Sequence, residues 1–248
     1  MTNFNADARA LSHGAKSSNK GERGIAKRLD ALARLTDLSG GRLLDVGCAD
    51  GTYTVRLAGG FREVDGIDIE PERLADFRLL RGTQLVRIHE MSADKLEFDD
   101  ATFDVVTAIE VLEHVADLPG SFAEVARVLK PGGRFCATTP NRWFPFETHG
   151  PLIAGKRRRP WVAPGLPWVR PLHRRWSDAR SFTLRELTAE AERAGLVVVG
   201  HEWMMPPFDR NGLGKRVRRV TDWVERSPLA FLGMAHVIVF EKPASVGG

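Results

Sequence analysis

The chain has 248 residues, 43% hydrophobic and 27% charged, an ordinary globular composition that supplies a buried core and excludes general disorder. No stretch approaches the ~20 uninterrupted apolar residues of a membrane span, and Met1 to Arg23 lacks the apolar block of a signal peptide, so a cytosolic protein is expected. The net charge of +4 is uneven: Arg142 to Arg180 carries nine basic residues against two acids and Arg210 to Arg219 five against none, which leaves an acidic body with two basic patches.

Residues 1–22, rich in Ser, Asn, Lys and Gly, lack periodicity and read as a mobile arm, with residues 23–248 as a single domain. A first helix is predicted over Ile25–Leu35. After Gly40-Gly41, strand-like and helix-like segments alternate: Arg42–Val46 then Thr52–Ala58; Glu63–Ile67 then Pro71–Leu80; Gln84–His89; Phe103–Ile109 then Pro119–Leu129; Arg134–Thr138. Alternation of this kind implies an α/β, doubly wound sheet of parallel strands with crossover helices on both faces. Lys130-Pro131-Gly132-Gly133 stops a helix, because Pro cannot continue it and Gly accepts a positive φ. Beyond residue 140 the alternation breaks, then returns with a helix at Thr183–Ala194 and a strand at Leu196–His201. A second irregular segment, Pro206–Pro228, precedes the last strand at His236–Phe240. Cys48 and Cys136 fall in apolar, strand-like surroundings, which suits reduced thiols rather than a disulfide.

The first strand ends in Leu43-Leu44-Asp45-Val46-Gly47-Cys48-Ala49-Asp50-Gly51. Its glycines allow the backbone to approach a ligand closely, and the helix that follows offers free N–H groups suited to a carboxylate or phosphate. Asp68 closes the second strand, where a carboxylate can take both hydroxyls of a ribose. Asp94, after the third strand, can accept from an exocyclic adenine amine. Together these acids describe an adenosine pocket at the carboxyl ends of parallel strands. Without a ligand the same turn would be only a tight strand-to-helix connection.

With these motifs the chain resembles the class I S-adenosylmethionine-dependent methyltransferases, especially the methyltransferase type 11 group, closely over about residues 40–140. The resemblance implies a Rossmann-like, mostly parallel seven-stranded sheet whose last strand is antiparallel, and S-adenosylmethionine as cofactor. It implies that Asp45, Gly47, Cys48, Ala49 and Gly51 wrap the methionine end of the cofactor, that Asp68 and Ile69 meet the ribose side, that Ala93 and Asp94 meet the adenine, and that Glu110, just after the fourth strand, lies near the cofactor. Ala49 departs from the family pattern, which has glycine there; either its φ is negative or the turn is strained. A nicotinamide dehydrogenase would instead need Gly-x-Gly-x-x-Gly, and no third glycine stands at that spacing.

Glu110-Val111-Leu112-Glu113-His114 follows the fourth strand. The plain reading is a solvated turn. In one sharper reading His114 is a general base that takes the proton of an attacking hydroxyl. In the other, Glu110, Glu113 and His114 bind Mg2+ or another divalent ion, completed by His149 or His173, which would lower a hydroxyl pKa. A similar Glu-x-x-Glu-His run occurs in small-RNA 2′-O-methyltransferases and in ubiquinone-pathway O-methyltransferases.

Residues 141–180 hold four of the six Trp, six of the fourteen Pro and the run Lys156-Arg157-Arg158-Arg159. So long an insertion points to a lid or to a membrane-surface segment with Trp at the interface and Arg on anionic head groups, set against a solvated basic loop. The insertion of ubiquinone-pathway enzymes looks alike, which favours a lipid-linked or amphipathic acceptor and a peripheral place at the inner face of the membrane. Nucleic acid ranks lower, since no RNA-binding module accompanies the domain. The expected function is O-methylation of a hydroxyl on a small molecule, glycan or quinone-like acceptor. The alternatives are a catalytically silent adaptor binding membrane or protein, and an RNA 2′-O-methyltransferase.

Overall fold

The computed structural model describes residues 22–78, 86–207 and 212–244. The segment expected to be a mobile arm lies outside them except for Glu22, which opens helix α1 (Glu22–Leu35) instead of ending the arm. The sheet is built from β1 (Gly40–Val46), β2 (Phe61–Asp68), β3 (Val86–Glu90), β4 (Phe103–Ile109) and β5 (Leu129–Pro140), joined by α2 (Thr54–Ala58), α3 (Pro71–Arg78) and α4 (Leu118–Val128). A hairpin of β6 (Leu152–Ile153) and β7 (Lys156–Arg157) follows, then α5 (Arg170–Trp176), α6 (Leu184–Arg193), β8 (Val197–Met204), α7 (Gly212–Glu225) and β9 (Ala235–Glu241). The seven-stranded sheet runs β3-β2-β1-β4-β5-β9-β8, with β9 antiparallel to both neighbours and the other pairings parallel. The doubly wound expectation and its antiparallel last strand are met.

Adjacent residues of one strand serve opposite cores, because side chains alternate across a sheet. Leu44, Val106, Phe135 and Ile238 face one apolar cluster, with Phe122 of α4 and Leu187 of α6. Leu43, Val105, Cys136 and Val239 face the other, with Ile25 and Leu32 of α1, Leu57 of α2 and Phe77 of α3. Strands covered on both faces read as continuous apolar runs, which is why these were legible without alternation. Both cysteines are buried and free.

Three expectations need correction. Pro206–Pro228 is not irregular, since α7 occupies Gly212–Glu225; its basic spacing hid a helix that has no Gly or Pro after Gly214. The insertion is not structureless either: it holds the β6–β7 hairpin, single turns at Pro160–Val162 and Leu166–Trp168, and α5. Lastly, the helix expected from Thr52 starts at Thr54, because Asp50 Oδ1 draws in the Thr52 amide and hydroxyl and keeps that residue in the turn. The Lys130–Gly133 run does end α4, and it enters β5 as an irregularity between Phe103 and Val105 in the pairing with β4. Helix α6 starts with Thr183 and Glu186 capping each other's backbone amides.

Candidate active site at the carboxyl ends of the parallel strands

The turn after β1 is left-handed at three positions: Gly47 (φ 69°), Ala49 (φ 48°) and Gly51 (φ 77°). Of the two readings open for Ala49, the strained turn is the one observed. A Cβ on Gly47 would lie 2.4 Å from Val111 Cγ2, and one on Gly51 2.3 Å from the Phe77 ring, so both glycines serve close packing as well as backbone freedom. Asp68 ties this turn to the end of β2: Oδ2 accepts from the Ala49 amide at 3.0 Å and Oδ1 from the Glu70 amide at 2.9 Å. Each carboxylate oxygen accepts more than one hydrogen bond, so Asp68 retains capacity for hydroxyl donors.

Asp45 is placed differently from a ligand contact. It is buried under the turn, where Oδ2 accepts from Thr54 Oγ1 at 2.5 Å and Oδ1 from Thr107 Oγ1 at 2.7 Å. Burial pushes its pKa up to about 6, against those two hydroxyls. Cys48 is buried as well, and burial raises its thiol pKa. Ile69 is 53% exposed beside Asp68, and Ala93 is buried next to Asp94, whose carboxylate accepts from the Ser92 hydroxyl.

Glu110 sits at the carboxyl end of β4 in a left-handed conformation (φ 59°). Its Oε1 accepts from Thr138 Oγ1 at 3.2 Å and its Oε2 lies 3.2 Å from Arg28 Nη2 of α1, with both side chains buried. Burial works against the charge on Arg28, but Glu110, with Tyr53 and Glu113, more than offsets it and the guanidinium pKa is raised. Arg28 Nε is buried without a hydrogen-bond partner among the described residues. The sequence reading missed Arg28, although a signal existed: the buried positions Gly24, Ile25, Arg28, Ala31 and Leu32 of α1 follow helical spacing, and an arginine inside an apolar stripe is anomalous.

The rest of the loop after β4 is held by the far end of the insertion. The Arg180 guanidinium donates to the carbonyls of Leu112 and Val115, and the Arg180 amide to the Glu113 carbonyl. Glu113 is thereby fully buried, with Oε2 accepting from Thr139 Oγ1 at 3.2 Å. His149 comes in from the insertion with Nε2 3.8 Å from Glu113 Oε1, and its ring lies edge-on to that of His114, centroids 5.1 Å apart. Glu113, His114 and His149 each offer a ligand atom within 4.8 Å of the others. Of the four ligands anticipated, Glu110 is turned toward Arg28, and of the two candidate histidines it is His149 that joins; His173 pairs with Glu147. Glu147 was not singled out in the sequence, where a lone acid in a basic, Pro-rich stretch reads as solvated.

Residues 44–137 match the methyltransferase domain family. The chain is 38% identical over 120 residues to a ubiquinone biosynthesis O-methyltransferase of Aromatoleum aromaticum, covering 47% of this chain and 51% of that relative. The chain thus spans about half the length of the curated relatives it matches. A solved S-adenosylmethionine-dependent methyltransferase of Mesorhizobium loti superposes with a TM-score of 0.65 at 20% identity, over 90% of this chain and 99% of that one. The cyclase SpnF superposes with a TM-score of 0.60 at 23% identity, over 90% and 82% of the two chains. At these identities the superpositions show the shared fold alone, and one fold serving a cyclase and a methyltransferase leaves the chemistry to the site. Among the described residues, no helix is long and apolar enough to cross a membrane.

Proposed function

We propose that the protein is an S-adenosylmethionine-dependent O-methyltransferase acting on the hydroxyl of a small-molecule, glycan or quinone-like, lipid-linked acceptor. The observation that carries this reading is Asp68, a buried carboxylate closing β2 and bonded to the one amide, that of Ala49, around which the left-handed turn bends. The residues present fit the cofactor: Asp68 for the ribose hydroxyls with exposed Ile69 beside it, Ala93-Asp94 for the adenine, and the Gly47–Gly51 turn with the Arg28 guanidinium for the methionine end.

When bound, the cofactor supplies an electrophilic methyl group on a sulfonium that is already a good leaving group. The chain's own part is alignment, exclusion of water and handling of one proton. His114 is the group placed to accept the acceptor hydroxyl's proton, since an imidazole titrates near neutrality. Glu113, His114 and His149 are the residues that would hold a divalent ion, a mixed carboxylate and imidazole set suited to a borderline cation. Such an ion would orient an oxygen and lower its pKa, and it would then displace His114 from the base role.

Exposed Trp143, Trp161 and Trp168, with Arg158 and Arg159 also exposed, support a peripheral membrane contact through residues 141–180 of an otherwise cytoplasmic protein. A lipid-linked or quinone-like acceptor would be met at that surface. The choice of oxygen as acceptor atom draws on the name of the Aromatoleum relative.

Calorimetric titration with S-adenosylhomocysteine, with and without Mg2+, tests the cofactor reading. Micromolar binding is expected. No binding in either condition would leave a catalytically silent adaptor as the better account. Transfer of labelled methyl into the lipid fraction of a cell extract, but not into its RNA, would then place the acceptor.

A further inference from the structure

The basic insertion buries a small acidic and imidazole network that the cofactor site does not explain. Glu147 and His149 lie two residues apart ahead of the hairpin and His173 comes from α5, and all three side chains are mostly or fully buried. Glu147 Oε2 takes a hydrogen bond from His173 Nε2, a residue of α5. Glu147 Oε1 accepts from the His149 amide at 3.1 Å and stands 3.6 Å from His149 Nδ1, while Thr148 Oγ1 lies 3.3 Å from the same ring nitrogen. The opposite ring nitrogen, Nε2, faces Glu113.

We infer that Glu147 is a positioning residue for His149: it keeps the proton on Nδ1 and so presents the Nε2 lone pair to Glu113 and His114, with His173 bracing the carboxylate from α5. The physical case is a matter of which groups can donate. An ionised carboxylate only accepts, so an imidazole edge beside one favours its N–H on that side; Glu113 asks this of Nε2 from 3.8 Å, but Glu147 stands closer to Nδ1, at 3.6 Å, and is braced by His173. The Thr148 hydroxyl can satisfy either tautomer and does not decide between them. His173 uses Nε2 to reach Glu147, and the carboxylate is thus gripped from two directions. A carboxylate behind a histidine is the arrangement that orients imidazole ligands and raises their basicity in metal sites. Fastening the insertion to the domain would by itself require only that some polar pair be satisfied; it would not require the carboxylate to stand behind the one imidazole that reaches Glu113.

This inference rests on the proposed active site for the purpose of His149, but its first test does not depend on metal or on methyl transfer. Long-range proton–nitrogen NMR of the histidine-labelled full chain at pH 8.5 reads each ring's tautomer. His149 is expected as the Nδ1–H form in the wild type and as a mixture with the Nε2–H form in Glu147→Gln. His173→Gln, which leaves the carboxylate but loosens its brace, should shift the same signals less and guards against a Glu147→Gln chain that fails to fold. An Nε2–H ring in the wild type, or an unchanged ring in both variants, overturns the assignment. The second measurement is Mn2+ titration: Glu147→Gln should weaken the ion about 10- to 100-fold with S-adenosylhomocysteine affinity unchanged, on the scale of lost orienting partners. If the wild type takes up no Mn2+ while the tautomer still shifts, the metal reading fails and the positioning role stands. Equal Mn2+ affinity in wild type and Glu147→Gln, with only a lowered Tm, marks Glu147 as a fastening and overturns the role.

Discussion

The two halves of the sheet reach the site by different kinds of information. From β1 to β5 the functional positions lie within a few residues of a strand end: Gly47 to Gly51 after β1, Asp68 at the last residue of β2, Asp94 after β3 and Glu110 after β4. Their placement follows from strand, turn and helix signals that are local in the chain. The half beyond Pro140 works at long range. His149 meets Glu113 across 36 positions of sequence, and Arg180 reaches back to Leu112 and Val115 across more than sixty. A local code can be read in a sequence and an assembled one cannot, so the strand-end turns and the loop held by the insertion differ in legibility.

The sharpest way to break this comparison is to strike the local side at its centre. Asp68→Ala removes the acceptor for the Ala49 amide and, under the proposed function, for two ribose hydroxyls. It should weaken S-adenosylhomocysteine binding by roughly 2–4 kcal/mol, the scale of hydrogen bonds to a charged group. Asp68→Asn should lose less, because the amide oxygen still accepts. Calorimetry on both variants checks the order. An affinity unchanged in Asp68→Ala would mean that the adenosine pocket is elsewhere.

What the sequence made plain and what it concealed divide along the same line. The strand borders of β4 and the Lys130–Gly133 stop after α4 rest on patterns of apolar runs, Pro and Gly, while the antiparallel end of the sheet was implied by the resemblance. Arg28 was concealed because a charged residue on a helix is normally solvated, and only the register of its apolar neighbours shows that it points inward. Asp45 was read as a ligand contact, whereas the structure sets it against Thr54 and Thr107, whose hydroxyls meet it from α2 and β4. Partners supplied by two different elements leave no trace in spacing. The same holds for the Glu147–His173 pair, whose imidazole comes from α5, 26 residues on and past the hairpin.

The long-range half also carries an acid-sensitive joint. His236 of β9 has Nε2 3.0 Å from the Phe182 carbonyl, which can only accept, so that nitrogen carries the proton and Nδ1 accepts from His201 Nε2 at 3.0 Å. His236 is therefore neutral, and burial pushes the pKa of both rings down to about 4. The unfolded chain binds more protons than the folded one between that value and the ordinary 6.5, so stability should fall as pH drops through this window, by on the order of 2 kcal/mol. His149 is shifted the other way: burial lowers its pKa, but Glu147, Glu113 and Glu110 more than offset it, so near and above the ordinary 6.5 it opposes this slope, adding stability as pH drops. Urea midpoints at pH 7 and pH 5 measure the loss. His201→Gln, which can still donate to His236, should flatten the dependence, and an equally steep one would move its origin elsewhere.

The smallest predicted effect sharpens the local side. Ala49 stands at φ 48° between two left-handed glycines, and a left-handed L residue costs roughly 1–2 kcal/mol relative to its preferred conformations. Glycine relieves that strain but has more freedom to lose on folding, so Ala49→Gly should stabilise the chain by only about 0.5–1 kcal/mol. In a chain of this length that is a rise in Tm of about 1–4 °C. Cofactor affinity responds separately, because the Ala49 amide is already fixed by Asp68 Oδ2 and its direction does not depend on the side chain. A higher Tm with unchanged S-adenosylhomocysteine affinity is therefore the expected pair of results. A lower Tm would show that the alanine methyl makes packing contacts worth more than the strain. A loss of affinity at higher Tm would show that the strained backbone itself sets the turn for its ligand, and the turn would then owe its geometry to Ala49 as much as to its glycines.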